Sequence, residues 1–273
     1  MNQWIRFRHN GRIGFGTLHQ GLVSIYDGDM FDNPKPIGAS FAQQSISLLP
    51  PCIPSKMIGL WNNFHARARA ENLQRPAHPL YFLKGNNCFA ADGELIRRPA
   101  EYAGAVVFEG ELGVVIGRRC ADVPESAVDR HIFGYTCVND VTARHILKEN
   151  PSFVQWSRAK SFDTFGAFGP VITTGLNPDG LTVRTMVNGQ EKQNYPVSDM
   201  FFSPRAIVSR ISRDMTLFPG DIIACGTSVG AGALAPGDRV EIVIDGIGTL
   251  TNAFDRRGVA SGSAPEIERR RVA

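Results

Sequence analysis

Glycine and proline cut this chain into short pieces. Its 273 residues include 28 Gly and 17 Pro, and both residues disfavour the interior of a helix. What lies between them is a succession of short runs rich in Val, Ile, Leu and Phe. Residues 1–50 alternate such runs with glycines (WIRF, IGFGTL, GLVSIYDG, SISLL) and read as a small meander of β-hairpins. The segment LPPCIPSK at 49–56 holds three prolines, cannot continue a strand or a helix, and reads as a link between two regions. From residue 57 strands predominate: MIGLW, HPLYFLK, AVVFEGELGVVI, IFGYTCVND, GPVITT, LTVRTMV, DIIACG, RVEIVI and GIGTLTN.

Helices are fewer. One is expected over NNFHARARAENL, where Ala and Arg favour helix and nothing interrupts before Pro76. A second is expected after Asp140, through TARHILKEN to Pro151, and a third from Ser203 as N-cap and Pro204 as first helical residue through AIVSRISRDM. Strands without regular intervening helices argue against a doubly wound parallel sheet, so the fold class is mainly β, of α+β type. The organisation expected is a small N-terminal β domain at 1–53, a larger domain at 54–254, and a flexible basic tail at 255–273, where five Arg face three acidic residues.

Composition excludes several partners. The apolar fraction is 43%, the charged fraction 20% and the formal net charge +3, with no basic stripe interleaved with aromatics to hold nucleic acid. No run approaches the length of a membrane span, and MNQWIRFRHNGR lacks the apolar region of a signal peptide. Five scattered cysteines, with no CxxC pair, read as reduced thiols of a cytoplasmic protein.

Within AVVFEGELGVVI (105–116), Glu109 and Glu111 interrupt an apolar run. In a continuous strand, residues two apart share a face, so Val107, Glu109, Glu111, Gly113 and Val115 would lie together. Two carboxylates held that close repel, and burial raises the cost of ionising them. A hard divalent cation such as magnesium, with a third oxygen from Asp140 at the end of IFGYTCVND, would offset both penalties. Two other readings stay open from these residues alone: a solvated edge-strand face, or one acid kept neutral as a proton donor.

Six ordered blocks over roughly residues 54–254 resemble the fumarylacetoacetate hydrolase family, which includes 2-oxo-acid hydrolases, hydratases, isomerases and decarboxylases. The blocks are PLYFLK (79–84), FEGELGVVIG (108–117), GYTCVNDVTAR (134–144), RAKSFDTFGAFGP (158–170), PGDIIACGTSVGAG (219–232) and GIGTLTN (246–252). The resemblance implies a mixed β fold with a deep metal-bearing pocket, preceded by a small β domain, and commonly a homodimer. It implies Glu109, Glu111 and Asp140 as magnesium ligands, with manganese or calcium as substitutes, and Lys160 as the active-site lysine. Lys84 and Thr227 match positions lining the substrate site; Arg144 is read either as a substrate contact or as an ion pair fixing the following helix. The implied reaction is cleavage of a C–C bond in a small 2,4-dioxo acid by water, as in acylpyruvate or fumarylpyruvate hydrolysis during aromatic catabolism. Hydration, isomerisation or tautomerisation, and decarboxylation on the same scaffold are the alternatives, as is a ligand-binding protein without turnover.

The chain also departs from that family's pattern. The family's lid often pairs a histidine with a glutamate three residues on; here His65 is followed by Ala68, and Glu71 lies six residues away. His65 is the candidate base, with His145 as its alternative. A second enzyme reading comes from GTSVG (226–230), which matches a GxSxG nucleophile elbow, but no histidine follows Ser228 and AGALAPGDRV is a poor helix.

Overall fold

The computed structural model describes residues 1–256. The expected basic tail therefore lies outside the described residues from position 257 on. The chain opens with antiparallel strands β1 (Gln3–His9), β2 (Arg12–His19), β3 (Leu22–Asp29) and β4 (Asp32–Ala42), each paired with the next. Asn10 and Gly11, both at positive φ (47° and 77°), make the two-residue turn between β1 and β2, the left-handed geometry that such hairpins need. β5 (Ser47–Leu49) pairs with β1.

This meander is continuous with the main sheet. Gln3 and Trp4 of β1 pair with Thr173 and Ile172 of the strand Gly166–Thr173. From there the sheet runs through Ile132–Asp140, Gly110–Ile116, Ile222–Ala224, β6 (Met57–Trp61) and β7 (Leu80–Lys84). Strand Gly110–Ile116 is buried on both faces: Leu112, Val114 and Ile116 sit in the larger core, and Val115 packs with Val138, Phe168 and Ile222 in the smaller. A strand covered on both sides can be apolar at every position, which is why this one shows no polar alternation. Two smaller sheets complete the described residues, one of Thr142–Ala143, Val106–Phe108 and Gly232–Ala233, the other built around Thr182–Val187, Arg239–Ile244 and Gly248–Phe254. The architecture is mostly β with mixed sheets, as the sequence leads one to expect.

Three local expectations need correction. AVVFEGELGVVI is not one strand: Val106–Phe108 belongs to the three-stranded sheet, Gly110–Ile116 to the main sheet, and Glu109 is the residue between them. The break has a cause. Asn139 Oδ1 accepts the Glu109 N–H (3.2 Å), and the Glu109 carbonyl accepts the Asp140 N–H (2.9 Å), so both peptide groups are drawn to the neighbouring strand's end. The first expected helix shrinks to α1 (His65–Ala70), because Asn62 and Asn63 are buried and Asn63 instead bonds the backbone of Phe202 and Cys225. After Asp140 there is a two-residue strand and a 3-10 turn over Arg144–Lys148 rather than an α-helix.

Elements not anticipated include β4, α2 (Trp156–Lys160) and the strand Gln190–Pro196. The third expected helix is present as α3 (Pro204–Asp214), with Ser203 Oγ accepting the Ala206 N–H as its cap.

Candidate active site

The break at Glu109 is held open from both sides. Gly110 follows it, and a Cβ there would overlap Thr185 Oγ1. The Gly110 N–H donates to Gln193 Oε1 (3.1 Å), while its carbonyl accepts from Thr227 Oγ1 (2.9 Å) and from the Tyr195 hydroxyl. Gln193 in turn donates to Thr227 Oγ1 (2.8 Å). Thus the polar strand Gln190–Pro196 supplies two buried side chains, Gln193 and Tyr195, that fix the turn carrying both glutamates. Sequence reasoning missed them, because in a polar run the buried Gln193 reads no differently from the exposed Gln190 and Asn194.

At this turn the carboxylates of Glu109, Glu111 and Asp140 converge, with one oxygen from each within 4.8 Å of the others. Glu111 and Asp140 are fully buried. Two ammonium groups are threaded among them. Lys160 Nζ, at the end of α2, lies 2.6 Å from Glu109 Oε2 and 2.5 Å from Asp140 Oδ2. Lys84 Nζ, at the end of β7, lies 2.6 Å from Asp140 Oδ1. Thr142 Oγ1 donates to Glu109 Oε2 (3.3 Å).

The electrostatics divide the three acids. Burial alone would raise the Asp140 carboxyl, but Lys160 and Lys84 outweigh it and hold Asp140 below the usual carboxylate range. Glu111 goes the other way: burial pushes it well above the usual value, and the negative charges of Asp140 and Glu109 add to that. Its Oε2 accepts the Gly226 N–H (2.8 Å), whereas its buried Oε1 has no hydrogen-bond partner among the described residues. Lys160 is a buried ammonium; burial would lower it, yet Asp140, Glu109 and Glu111 hold it above the ordinary lysine value.

A pocket opens above this cluster, with Glu109 and Lys160 at its base and Trp61, Arg67, Phe82, Arg144, Trp156 and Thr227 around it. Phe82 and Trp156 stack face to face at 5.1 Å, and Lys160 Nζ stands 4.8 Å from the centre of the Phe82 ring. The structure therefore brings Glu109, Glu111, Asp140, Lys160 and Lys84 into one cluster and places Thr227 and Arg144 on the wall above it. The ion-pair alternative for Arg144 fails among the described residues, where its guanidinium has no acidic partner. His65 is not brought in: its ring lies against Phe201, with centroids 4.2 Å apart. His145 is exposed and donates its backbone N–H to the Tyr102 hydroxyl. GTSVG is not a nucleophile elbow, since among the described residues no helix follows it and its glycine N–H serves Glu111.

The family model described as fumarylacetoacetate (FAA) hydrolase C-terminal matches residues 56–255. The chain belongs to the fumarylacetoacetate hydrolase family. A second model, Rv2993c-like N-terminal, matches residues 2–51. Among relatives of this family protein, oxaloacetate tautomerase YisK from Bacillus subtilis is 37% identical over 212 residues, covering 73% of this chain and 69% of YisK. The crystal structure of 2-hydroxyhepta-2,4-diene-1,7-dioate isomerase from Mycobacterium marinum superposes with a TM-score of 0.87 at 38% identity, over 94% of this chain and 100% of that one. Maleylpyruvate hydrolase from Sphingobium sp. SYK-6, solved with manganese(II) and pyruvate, superposes with a TM-score of 0.75 at 25% identity, over 93% of this chain and 99% of that one. These fumarylacetoacetate hydrolase relatives are enzymes, and their names span tautomerase, isomerase and hydrolase. Among the described residues, no helix is long and apolar enough to cross a membrane.

The residues present fit a divalent cation. The donor set is all oxygen, as a hard cation requires, and the buried Oε1 of Glu111, unpartnered among the described residues, is a ready ligand atom.

Proposed function

We propose that this protein is a divalent-cation-dependent tautomerase of small 2-oxo dicarboxylic acids, acting on keto–enol pairs of the oxaloacetate type. Magnesium is the proposed cation, held by Glu109, Glu111 and Asp140, with manganese as its substitute. When bound, the cation supplies a Lewis acid for the 1-carboxylate and 2-oxo oxygens of the substrate.

The observation that carries this reading is the character of the pocket wall. Among the described residues it offers Lys160, Arg67 and Arg144 but no histidine. Hydrolysis needs a base that activates water; tautomerisation needs only one group that moves a proton between solvent and C3. Lys160 suits the second task. Its ammonium is already hydrogen-bonded to Glu109 Oε2 and Asp140 Oδ2. In ketonisation the proton on the C2 enol oxygen is lost and one arrives at C3 from Lys160 Nζ; solvent restores the lysine. In the reverse direction Lys160 first gives its proton to solvent and then takes the one on C3, while the C2 oxygen is protonated from solvent. The names of the B. subtilis and M. marinum relatives, an oxaloacetate tautomerase and a dioate isomerase, support the same class of acid.

The test is the rate at which the enol absorbance of freshly dissolved oxaloacetate decays, with EDTA-treated protein and after adding Mg2+ or Mn2+. Acceleration only with added cation is expected. Full turnover in EDTA, or no acceleration under any condition, would overturn the proposal. Hydrolysis of a 2,4-dioxo acid, with His65 as base, is the second reading, favoured by the maleylpyruvate hydrolase among the structural relatives. Release of pyruvate from an acylpyruvate, lost on His65→Ala, would select it. A homodimer belongs to the same proposal, and light scattering that returns the mass of one chain would exclude it.

A further inference from the structure

We propose that Arg67 is a specificity-determining residue that binds the distal carboxylate of the substrate, the one not chelated beside the 2-oxo group. The assignment rests on the dicarboxylate reading above and adds the residue that enforces it.

Arg67 is the third residue of α1, two after His65, and on a helix that spacing turns the two side chains about 200° apart. His65 accordingly lies on Phe201 while Arg67 enters the pocket. Its side chain is only 14% exposed, so it is enclosed. It is also largely uncommitted. Nε donates to Glu71 Oε1 one helical turn on (3.1 Å), which fixes the plane of the guanidinium. Nη1 stands 3.6 Å from Glu109 Oε1, close enough to feel the charge and too far for a good hydrogen bond. Of the five N–H donors a guanidinium carries, one is used by a protein acceptor among the described residues. An enclosed arginine with its fork free, in a pocket that opens to solvent, is built to meet a planar anion.

The charges of the site point the same way. Four carboxylates, Glu71, Glu109, Glu111 and Asp140, balance four cationic side chains, Lys84, Lys160, Arg67 and Arg144. Lys84 and Lys160 are spent on Asp140 and Glu109; Arg144 has no ion-pair partner among the described residues. A divalent cation adds further positive charge, and a 2-oxo monoacid brings one negative charge to set against it. A diacid brings two, and the second has Arg67, beside Arg144, as its counter-ion.

The rival explanation is that Arg67 merely steadies Glu109. Calorimetry on the Mn2+-loaded protein separates the two, using 2-oxoglutarate and 2-oxopentanoate, acids of equal length that differ only in the distal carboxylate. The wild type should prefer the diacid by about 10- to 100-fold, the worth of a charge-assisted contact. R67Q should erase most of that preference and leave the monoacid within about threefold of wild type. R67K, which keeps the charge and loses the fork, should fall between them. Mn2+ alone should bind R67Q as tightly as wild type or more tightly, because a cation beside Glu109 has been removed. The assignment fails if the wild type shows no preference, if R67Q weakens both acids equally, or if it weakens Mn2+ along with them. If oxaloacetate is not tautomerised but the diacid preference exists and vanishes in R67Q, the reaction proposed above falls and Arg67's role stands.

Discussion

Replacing Lys84 with methionine isolates one half of the charge balance beneath the pocket. The Lys84 and Asp140 side chains are both wholly buried, and Nζ lies 2.6 Å from Oδ1. Methionine keeps most of the aliphatic volume, so the change is chiefly one of charge. Removing one partner of a buried ion pair costs about 3–5 kcal/mol, because the other charge is left without its counter-ion. Asp140 keeps Lys160 at 2.5 Å, which places the expectation at the lower end, about 3 kcal/mol. For a chain of this size that is a fall in Tm of roughly 6–12 °C. The pH dependence has a definite sign. Asp140 is held below the ordinary carboxylate value, so the pair's contribution is complete above the unfolded pKa, about 3.9, and is lost as pH falls through the lower folded value. Urea unfolding in EDTA from pH 7 down toward pH 3 should therefore show a wide gap between wild type and K84M that narrows below about pH 4. Unfolding free energies within about 1 kcal/mol of each other at pH 7 would refute the reasoning, as would a gap that does not narrow.

Other substitutions probe the turn and its surroundings. Glu111→Gln keeps an acceptor for the Gly226 N–H but removes the charge, so Mn2+ affinity by calorimetry should drop about 100-fold or more while the fold survives; unchanged affinity would remove Glu111 from the ligand set. Gly110→Ala would push a methyl group into Thr185 and close on Ile242 Cδ1 (2.9 Å), costing about 1–3 kcal/mol in thermal or urea unfolding and weakening Mn2+ with it; a silent variant would mean the turn is not tight. All five thiols are buried, and burial raises Cys88 to about 11 and Cys52 to about 12, so a thiol reagent at pH 8 should react slowly with native protein and reach five equivalents only in urea. Fast reaction of two native thiols would contradict that burial.

Much of the fold was legible because its strands are apolar and bounded by Gly and Pro. RVEIVI is the strand Arg239–Ile244, and Ser203 followed by Pro204 marks where α3 begins. What escaped was imposed by tertiary contacts. The residues around Glu109 alternate as if one strand ran through; the break comes from Asn139 and Asp140, thirty residues on, which take its N–H and carbonyl. Strand Gln190–Pro196 is mostly exposed and polar, so hydrophobic periodicity could not find it, although Gln193 and Tyr195 hold the glutamates' turn. α2 is five residues long, too short for a helix signal, and is fixed by Trp156 stacked on Phe82. The acids and Lys160 stood in recognisable blocks, whereas Arg67 lies in an alanine- and arginine-rich helix and reads there as a solvated side chain.

Glu109, alone between two sheets, also separates what can change in this molecule from what cannot. Its carboxylate belongs to the acidic cluster while its own N–H and carbonyl hold the junction of the sheets, so the site's inorganic chemistry is tied to its architecture. Arg67 stands on a six-residue helix, and Trp61 stands where a strand ends. Those positions can be exchanged without moving a ladder of backbone hydrogen bonds. A lineage, or an engineer, could draw new substrate preferences from this scaffold by rewriting the rim while the floor stays as it is.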